Sequence, residues 1–268
     1  MTIHLRADRA VFRFSGPDAH KLLNDVVTGP IPSAPGPAAW WALLSPQGKI
    51  LAEGLAGWTK GAIWIDVHAA VADDFFKRMK LYRLRASVVI DDLRSSHRVG
   101  WSDDETPDGV AHRGHIGYRL IDSMDEAKAW IQDDSAYARA RIAAGIAELG
   151  QDFAPDSVFA HDIGMDILDG IDFVKGCYVG QEVVSRMKHR GTARRRPIIV
   201  HGIETAAPVL ANGRDSGSVG RVVDGSAVGI LRLDRFGDGI EATVDGKPVR
   251  LELPSWATFA LGEVTTEA

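Results

Sequence analysis

The chain contains very little cysteine and no long apolar run. Cys177 is the single cysteine among 268 residues, so no disulfide can form within the chain, which suits a reducing compartment. No stretch approaches the roughly 18 consecutive apolar residues of a membrane-spanning helix. The first residues lack both the apolar segment of a secretory signal and the Arg/Ser-rich composition of a transit peptide. These absences predict a cytoplasmic protein that does not enter a membrane.

Several sequence signatures of catalysis are also absent. The chain has no Gly-x-x-x-x-Gly-Lys-Ser/Thr phosphate loop, no Gly-x-Gly-x-x-Gly after a strand and no Gly-x-Ser-x-Gly elbow. His112 and His115 have no companion ligand cluster, so no metal site is expected. The net charge of −5 argues against nucleic-acid binding by the whole surface. We expect no DNA partner, and we expect a monomer.

The pattern of apolar residues predicts an α+β fold followed by a β-rich module. Residues 9–15 alternate as a strand does, and the residues that follow Pro17 and Asp18 have helical spacing. A further helical pattern covers residues 123–150, with Gly150 as its expected end. From Pro197 onward, short runs rich in β-branched residues are separated by Gly, Asp and Asn, which is typical of a small all-β module.

The segment "KGCYVGQEVVSRMKHRGTARRR", residues 175–196, contains the cysteine. Gly180 is expected to form a turn into a short helix, and Gly191 is expected to end it. Cys177 then precedes a helix N-terminus and lies near Lys175, and both features favour the thiolate over the thiol. Two interpretations stay open: a reactive thiol or soft metal ligand, and a small buried residue that fills a gap.

Six cations follow within eleven residues, with no acidic residue among them. A solvated helix face and linker would explain them, but their mutual repulsion favours an anionic ligand or partner. A polyanion, a polyglutamyl tail or an acidic protein would each serve, whereas the lack of interleaved aromatic residues disfavours base stacking. The six cations are Arg186, Lys188, Arg190, Arg194, Arg195 and Arg196.

The stretch "KGCYVGQE", followed by "HRGTARR", resembles the signature of the YgfZ family. These are folate-binding proteins that act in iron–sulfur cluster assembly and are related to the glycine-cleavage T-protein, an aminomethyltransferase. "FSGPDA", "SPQGKILAE", "YRLRASV" and the stretch from Arg141 to Asp152 are similar to family motifs as well. The resemblance covers roughly residues 8–235.

The resemblance implies a T-protein-like arrangement of three domains around a central cavity. Residues 1–45 and 112–193 would form a discontinuous folate-binding α+β domain, and residues 46–111 would form a second α+β domain. Residues 194–268 would form a small C-terminal β-barrel, in agreement with the change of pattern near Pro197. Tetrahydrofolate or a one-carbon derivative would be the cofactor, and iron–sulfur assembly or client proteins would be the partners.

The resemblance also implies site residues. Cys177 would be the key thiol and Glu53 the catalytic carboxylate, although the T-protein has an Asp-Asp pair where this chain has Ala52 and Glu53. Two alternatives stay open: a folate-dependent aminomethyl- or methyltransferase that uses Glu53, and an RNA-binding or adaptor module that uses residues 186–196. The residues expected to bind folate are Gln47, Gly48, Lys49, Tyr82, Arg83, Arg113, Arg141, Asp162, Lys175, Tyr178, Gly180, Gln181, Glu182, Lys188 and Arg190.

Overall fold

A five-stranded antiparallel sheet forms the centre of the N-terminal part. The computed structural model describes residues 2–106, 109–111, 116–191 and 193–262. The strand order of this sheet is β3-β4-β5-β2-β6, and every neighbouring pair is antiparallel. Its strands are β2 (Arg9–Ser15), β3 (Ala39–Leu44), β4 (Ile50–Thr59), β5 (Ala62–His68) and β6 (Val89–Asp92).

Two helices, α1 (Ala19–Val26) and α2 (Ala72–Arg83), accompany this sheet. The alternation of β2 places Phe12 and Phe14 on one face, and both rings contact Phe75 of α2, at centroid distances of 5.4 and 6.4 Å. These aromatic side chains are fully buried, and each stabilises the fold by roughly 1.5–3 kcal/mol through burial. The predicted strand, turn and helix at the N-terminus are therefore confirmed.

A four-stranded sheet of order β1-β7-β9-β8 faces the other side of the five-stranded sheet. Helix α3 (Ser135–Ala143) packs on it through Tyr137, whose ring lies 5.6 Å from that of Trp101. This helix is much shorter than the pattern over 123–150 predicts, because Gly145 adopts a φ of 66° and the buried stretch 146–149 then follows without helix. The strands are β1 (His4–Leu5), β7 (His97–Ser102), β8 (Val110–Ala111) and β9 (Tyr118–Ser123).

The β3–β4 hairpin bears on the predicted division into domains. Trp41 pairs with Gly54 and Leu44 with Ile50, so the hairpin crosses the predicted boundary between residues 45 and 46. Strands from both predicted N-terminal domains therefore share one sheet, because the short Pro46–Gly48 turn holds them in register. The assignment of folate binding to the discontinuous unit stays a prediction.

The C-terminal part is a seven-stranded antiparallel, nearly closed β-barrel of order β15-β14-β11-β12-β13-β10-β16. It has its own apolar cluster, with Ile198, Val200, Val209 and Leu231 buried inside. No helix in the described ranges is long and apolar enough to cross a membrane. The strands are β10 (Arg195–His201), β11 (Pro208–Ala211), β12 (Arg214–Val219), β13 (Ser226–Arg232), β14 (Ala242–Val244), β15 (Lys247–Pro248) and β16 (Arg250–Glu252).

Candidate functional site

Cys177 lies in an exposed loop directly before helix α4 (Gln181–Arg190). The helix starts after Gly180, with a φ of 81°, and ends at Gly191, with a φ of 59°, as the sequence predicts. The thiol faces solvent, so the interpretation of Cys177 as a small buried residue is wrong.

Lys175 anchors the loop that carries Cys177. Its Nζ donates hydrogen bonds to the carbonyl oxygens of Val27 and, at 2.9 Å, Gly29, just after α1. Burial lowers the pKa of Lys175 to about 8. Tyr178 on the other side of the cysteine is also buried, and this burial raises its pKa to about 12. Two inward side chains thus hold the loop while the thiol between them faces outward.

The turn of the β3–β4 hairpin packs against the start of α4. A Cβ atom on Gly48 would lie 2.8 Å from Cβ of Val183, and a Cβ on Gly180 would lie 2.9 Å from the Ser45 carbonyl oxygen. Only glycine permits this approach, because real Cβ atoms essentially never come so close. The structure therefore brings Gly48 and Gly180, with their chain neighbours Gln47 and Gln181, together beside the cysteine loop. Their role as folate ligands stays a prediction. The side chains of Gln47 and Glu182 are exposed.

Lys49 and Asp162 meet at Phe159. Lys49 Nζ lies 3.6 Å from the centroid of the Phe159 ring and donates to the Ser157 carbonyl oxygen at 3.1 Å. Asp162 Oδ2 accepts a hydrogen bond from the Phe159 backbone N–H at 3.0 Å, and burial raises the pKa of this carboxyl. Lys188 Nζ similarly lies 3.5 Å from the centroid of Phe173. These cations lie over aromatic rings.

Three other described residues predicted to bind folate are exposed or take part in other contacts. Tyr82 packs half-buried against the core, and Arg83 Nη1 donates to the Val88 carbonyl oxygen at 3.5 Å; neither contact involves the cysteine loop. The side chain of Arg190 is exposed. Arg113 lies outside the described residues. The ligand role of all these residues stays a prediction.

Glu53 belongs to a buried network between the two sheets. Its side chain is 0% exposed, and its Oε2 accepts a hydrogen bond from Trp40 Nε1 at 2.8 Å. Its Oε1 accepts one from the Leu149 backbone N–H at 3.3 Å and lies 3.5 Å from Arg9 Nη1. Protein groups therefore surround the carboxylate that an aminomethyl transfer would use, and the geometry disfavours that alternative.

Asp66 joins two arginines at the centre of this network. Arg9 Nε and Nη2 donate to its Oδ1 at 2.9 and 2.5 Å, and Arg119 Nη1 donates to its Oδ2 at 2.5 Å. Burial alone would raise the pKa of Asp66, but the charges of Arg9 and Arg119 outweigh it and lower the pKa to about 2. Asp66 thus stays ionised as the counterion of both guanidinium groups.

The remaining space in this network is too small for a pterin ring. Arg141, predicted to bind folate, instead pairs with Asp152 and donates to the Ile146 carbonyl oxygen at 2.6 Å. The free volume beside Arg6, Arg9 and Glu148 is only about 10 Å³, which holds about one water molecule.

A larger cleft lies beside the network, and we call it the inter-sheet cleft. It has a volume of about 330 Å³ and is lined by Trp58, Lys60, Trp64, His97, Arg119 and Asp122, among others. Trp64 Nε1 and Arg119 Nε are buried in it and have no hydrogen-bond partner among the described residues. Its walls thus combine aromatic surface with two unused donors, which suits a flat ligand with acceptor atoms.

Sequence reasoning did not find this cleft. The available signal was the pair of tryptophans on either side of the Lys60–Gly61 turn in "GWTKGAIW". That pattern predicts a hairpin with aromatic residues near its tip, but the opposing wall comes from β9, more than fifty residues later in the chain.

The comparisons with known proteins agree with this architecture. Residues 194–259 match the family described as CAF17, C-terminal beta-barrel domain. The chain is 30% identical over 210 residues to the Iron-sulfur cluster assembly factor IBA57 homolog, mitochondrial, of Pyricularia oryzae. It is 26% identical over 269 residues to the Iron-sulfur cluster assembly factor IBA57, mitochondrial, of Homo sapiens. The chain is thus similar to the CAF17/IBA57 family, in its barrel and along most of its length.

The relatives in this family are longer than the aligned region. The alignment covers 70% of this chain and 54% of the Pyricularia oryzae protein, and 87% of this chain and 74% of the human protein. The chain thus spans about half the length of the first of these relatives. The family is related to YgfZ, so the predicted resemblance is confirmed. The family members are named as mitochondrial proteins, and this comparison contradicts the predicted cytoplasmic location.

The fold of this chain is similar to that of the T-protein. The solved structure of the glycine cleavage system aminomethyltransferase T from Bartonella henselae matches with a TM-score of 0.74 and 13% identity, covering 97% of this chain and 87% of that chain. The predicted T-protein-like α+β fold with a C-terminal β-barrel is confirmed.

Proposed function

We propose that this protein supports the assembly or repair of iron–sulfur clusters, with Cys177 as a thiolate ligand to iron. The observation that carries the proposal is the exposed Cys177 thiol on a loop that Lys175 anchors to the end of α1. Thiolates are the usual protein ligands of iron–sulfur clusters. The relatives are named as iron–sulfur cluster assembly factors, and these names support the same role.

Cys177 can supply only one ligand to the cluster it handles. A cluster of the common types takes four cysteine thiolates, and the chain has one. Within the described ranges, no group of three or more His, Cys, Asp or Glu side chains is arranged to hold a metal ion. The other ligands must therefore come from a partner protein or a small thiol, and the cluster is cargo that passes through this site. Iron–sulfur assembly or client proteins are the expected partners.

Anaerobic reconstitution tests the role of Cys177. The protein is mixed with ferrous iron, sulfide and glutathione, which supplies the outside thiolates, and bound iron and visible absorption are measured after desalting. We expect the wild type to retain iron and sulfide and Cys177→Ser to lose nearly all of both. Val174→Ser changes another exposed side chain of the same loop and is expected to behave as the wild type. Wild-type iron retention by Cys177→Ser would refute the proposal.

We further propose that a tetrahydrofolate-type ligand binds in the inter-sheet cleft. The volume of about 330 Å³ lies within the range of small-molecule sites, whereas the space of about 10 Å³ beside Arg9 and Glu148 is far too small. The indole of Trp64 offers flat apolar surface, and the Nε–H of Arg119 and the Nε1–H of Trp64 offer donors to the oxygen and nitrogen acceptors of a pterin.

Calorimetric titration with tetrahydrofolate tests this location. Trp64→Phe keeps an aromatic ring but removes one donor, so we expect affinity to fall about tenfold, the equivalent of one hydrogen bond. Arg83→Ala and the Lys188→Ala/Arg190→Ala double variant change residues that do not line the cleft and are expected to bind as the wild type does. If the control variants weaken binding while Trp64→Phe does not, the ligand does not bind in the inter-sheet cleft. If the wild type shows no saturable binding, the proposal that the protein binds tetrahydrofolate is refuted.

A further inference from the structure

A second cleft of about 280 Å³ lies where the β3–β4 turn, α4 and the barrel meet, and we call it the basic cleft. It is lined by Lys49, Phe159, Asp162, Met187, Arg194, Arg195 and Arg232. Four of these seven side chains are cationic, and Asp162 is a buried carboxyl whose pKa is raised by burial. The basic cleft shares no lining residue with the inter-sheet cleft.

The sheet register of the barrel places like charges opposite each other in this cleft. Arg195, the first residue of β10, pairs directly with Arg232, the last residue of β13. Directly opposed residues on neighbouring antiparallel strands face the same side, and equal charges there destabilise the sheet. Arg232 is compensated by Asp234 at 2.7 Å. The exposed guanidinium of Arg195 has no hydrogen bond or ion pair to any residue in the described part of the chain.

The form of the basic cleft favours carboxylates over nucleic acid. Phe159 is the one aromatic residue among those that line the cleft, and Lys49 Nζ covers one face of its ring at 3.6 Å, so little aromatic surface remains on which a base would stack. A concave site of about 280 Å³ accepts a few side chains rather than a long phosphate backbone. Arginine guanidinium groups bind carboxylates through paired charge-assisted hydrogen bonds.

The basic cleft is also too distant to hold the glutamate of a folate in the inter-sheet cleft. Lys49 directly precedes β4, whereas Trp58 lies near the far end of this ten-residue strand. At roughly 3.3 Å per residue the two clefts are separated by about 30 Å along the strand. A bridging tail would need about nine extended residues.

We infer that the basic cleft binds an acidic segment of a partner protein, a run of Glu or Asp side chains that reaches Arg195 and its neighbouring cations. Such a segment neutralises the repulsion between Arg195 and Arg232 and adds ion pairs at Arg195. It also accounts for the positive segment 186–196 in a chain of net charge −5.

Fluorescence anisotropy with a labelled α-linked hexaglutamate peptide tests this inference. We expect saturable binding at low salt that weakens as salt is added, and we expect Arg195→Glu to weaken it about tenfold or more, the equivalent of one charge-assisted hydrogen bond. Arg85→Glu makes the same charge change at an exposed arginine outside the cleft and is expected to bind as the wild type does. Thermal melting should show no loss of stability in Arg195→Glu, because the new carboxylate faces Arg232.

Three results would overturn the inference: no saturable peptide binding, equal weakening by Arg195→Glu and Arg85→Glu, or tighter Arg195-dependent binding of oligouridylate or inorganic pyrophosphate than of the peptide. The last result would assign the cleft to RNA or to free phosphate. Cys177→Ser should bind the peptide normally, so failure of the iron–sulfur proposal and failure of this inference are separate observations.

Discussion

Arg9→Met is expected to lower the free energy of unfolding by about 3–5 kcal/mol, which is a large part of the stability of an ordinary domain. The methionine would leave the carboxylates of Asp66 and Glu53 buried without this cation, and both side chains are at most 4% exposed. Arg119 alone would then compensate Asp66. Urea denaturation followed by circular dichroism measures the effect.

Arg13→Met is the matched control for this experiment. Arg13 lies on the same strand and pairs with Asp91 at 2.9 Å, but its side chain is 42% exposed, so the loss in the free energy of unfolding is expected to stay below about 1 kcal/mol.

Acid unfolding is a second measurement of the contribution of Arg9. The pKa of Asp66 is lowered from 3.8 to about 2, so its stabilising effect is complete above pH 3.8 and is lost as pH falls toward 2. Arg9→Met should move the acid transition to higher pH; equal losses in both variants would refute the central role of Arg9.

The local parts of the structure were predictable because local chemistry determines them. Gly180 and Gly191 delimit α4 through their positive φ angles, and the short β-branched runs after Pro197 form the barrel strands. The helix predicted over 123–150 is too long. The apolar residues after Gly145 are buried by tertiary packing, although they do not form a helix. Hydrophobic spacing alone does not distinguish these two causes.

The candidate site was predictable only where its residues are close in sequence. Lys175, Cys177 and Gly180 lie in one short motif, and the structure indeed places them in one loop. The resemblance to the T-protein implies Glu53 as a site residue, but its partner Arg9 comes from β2, forty-four residues earlier in the chain. The unused donors of Trp64 and Arg119 also meet only after two sheets have packed together. Long-range pairing of this kind does not change the spacing of residues within either segment, so the sequence pattern does not reveal it.

Gly180→Ala is expected to lower the free energy of unfolding by about 2 kcal/mol or more and to displace the loop that carries Cys177. The new Cβ would meet the Ser45 carbonyl oxygen at 2.9 Å and Cβ of Leu44 at 3.0 Å, and the φ of 81° is itself strained for an L-residue. Because the obstacle is backbone, the turn and the start of α4 must separate. Thermal melting measures the stability, and the rate at which Cys177 reacts with a thiol reagent measures the displacement.

Gly176→Ala is the control that isolates this geometry from a general effect of losing a glycine. Gly176 is adjacent to Cys177, but a Cβ there meets no atom within 4 Å and its φ is not positive. The free energy of unfolding of Gly176→Ala is therefore expected to stay within about 0.5 kcal/mol of the wild-type value. The rate at which its Cys177 reacts is expected to stay close to that of the wild type. If Gly180→Ala melted like Gly176→Ala and left the thiol equally reactive, the close backbone contact between the hairpin turn and α4 would not be what positions Cys177. If only Gly180→Ala lost stability and changed the reactivity of the thiol, the close contact between Gly48 and Gly180 would be what positions Cys177. The Cβ added at residue 180 would lie 3.2 Å from the Cα of Gly48.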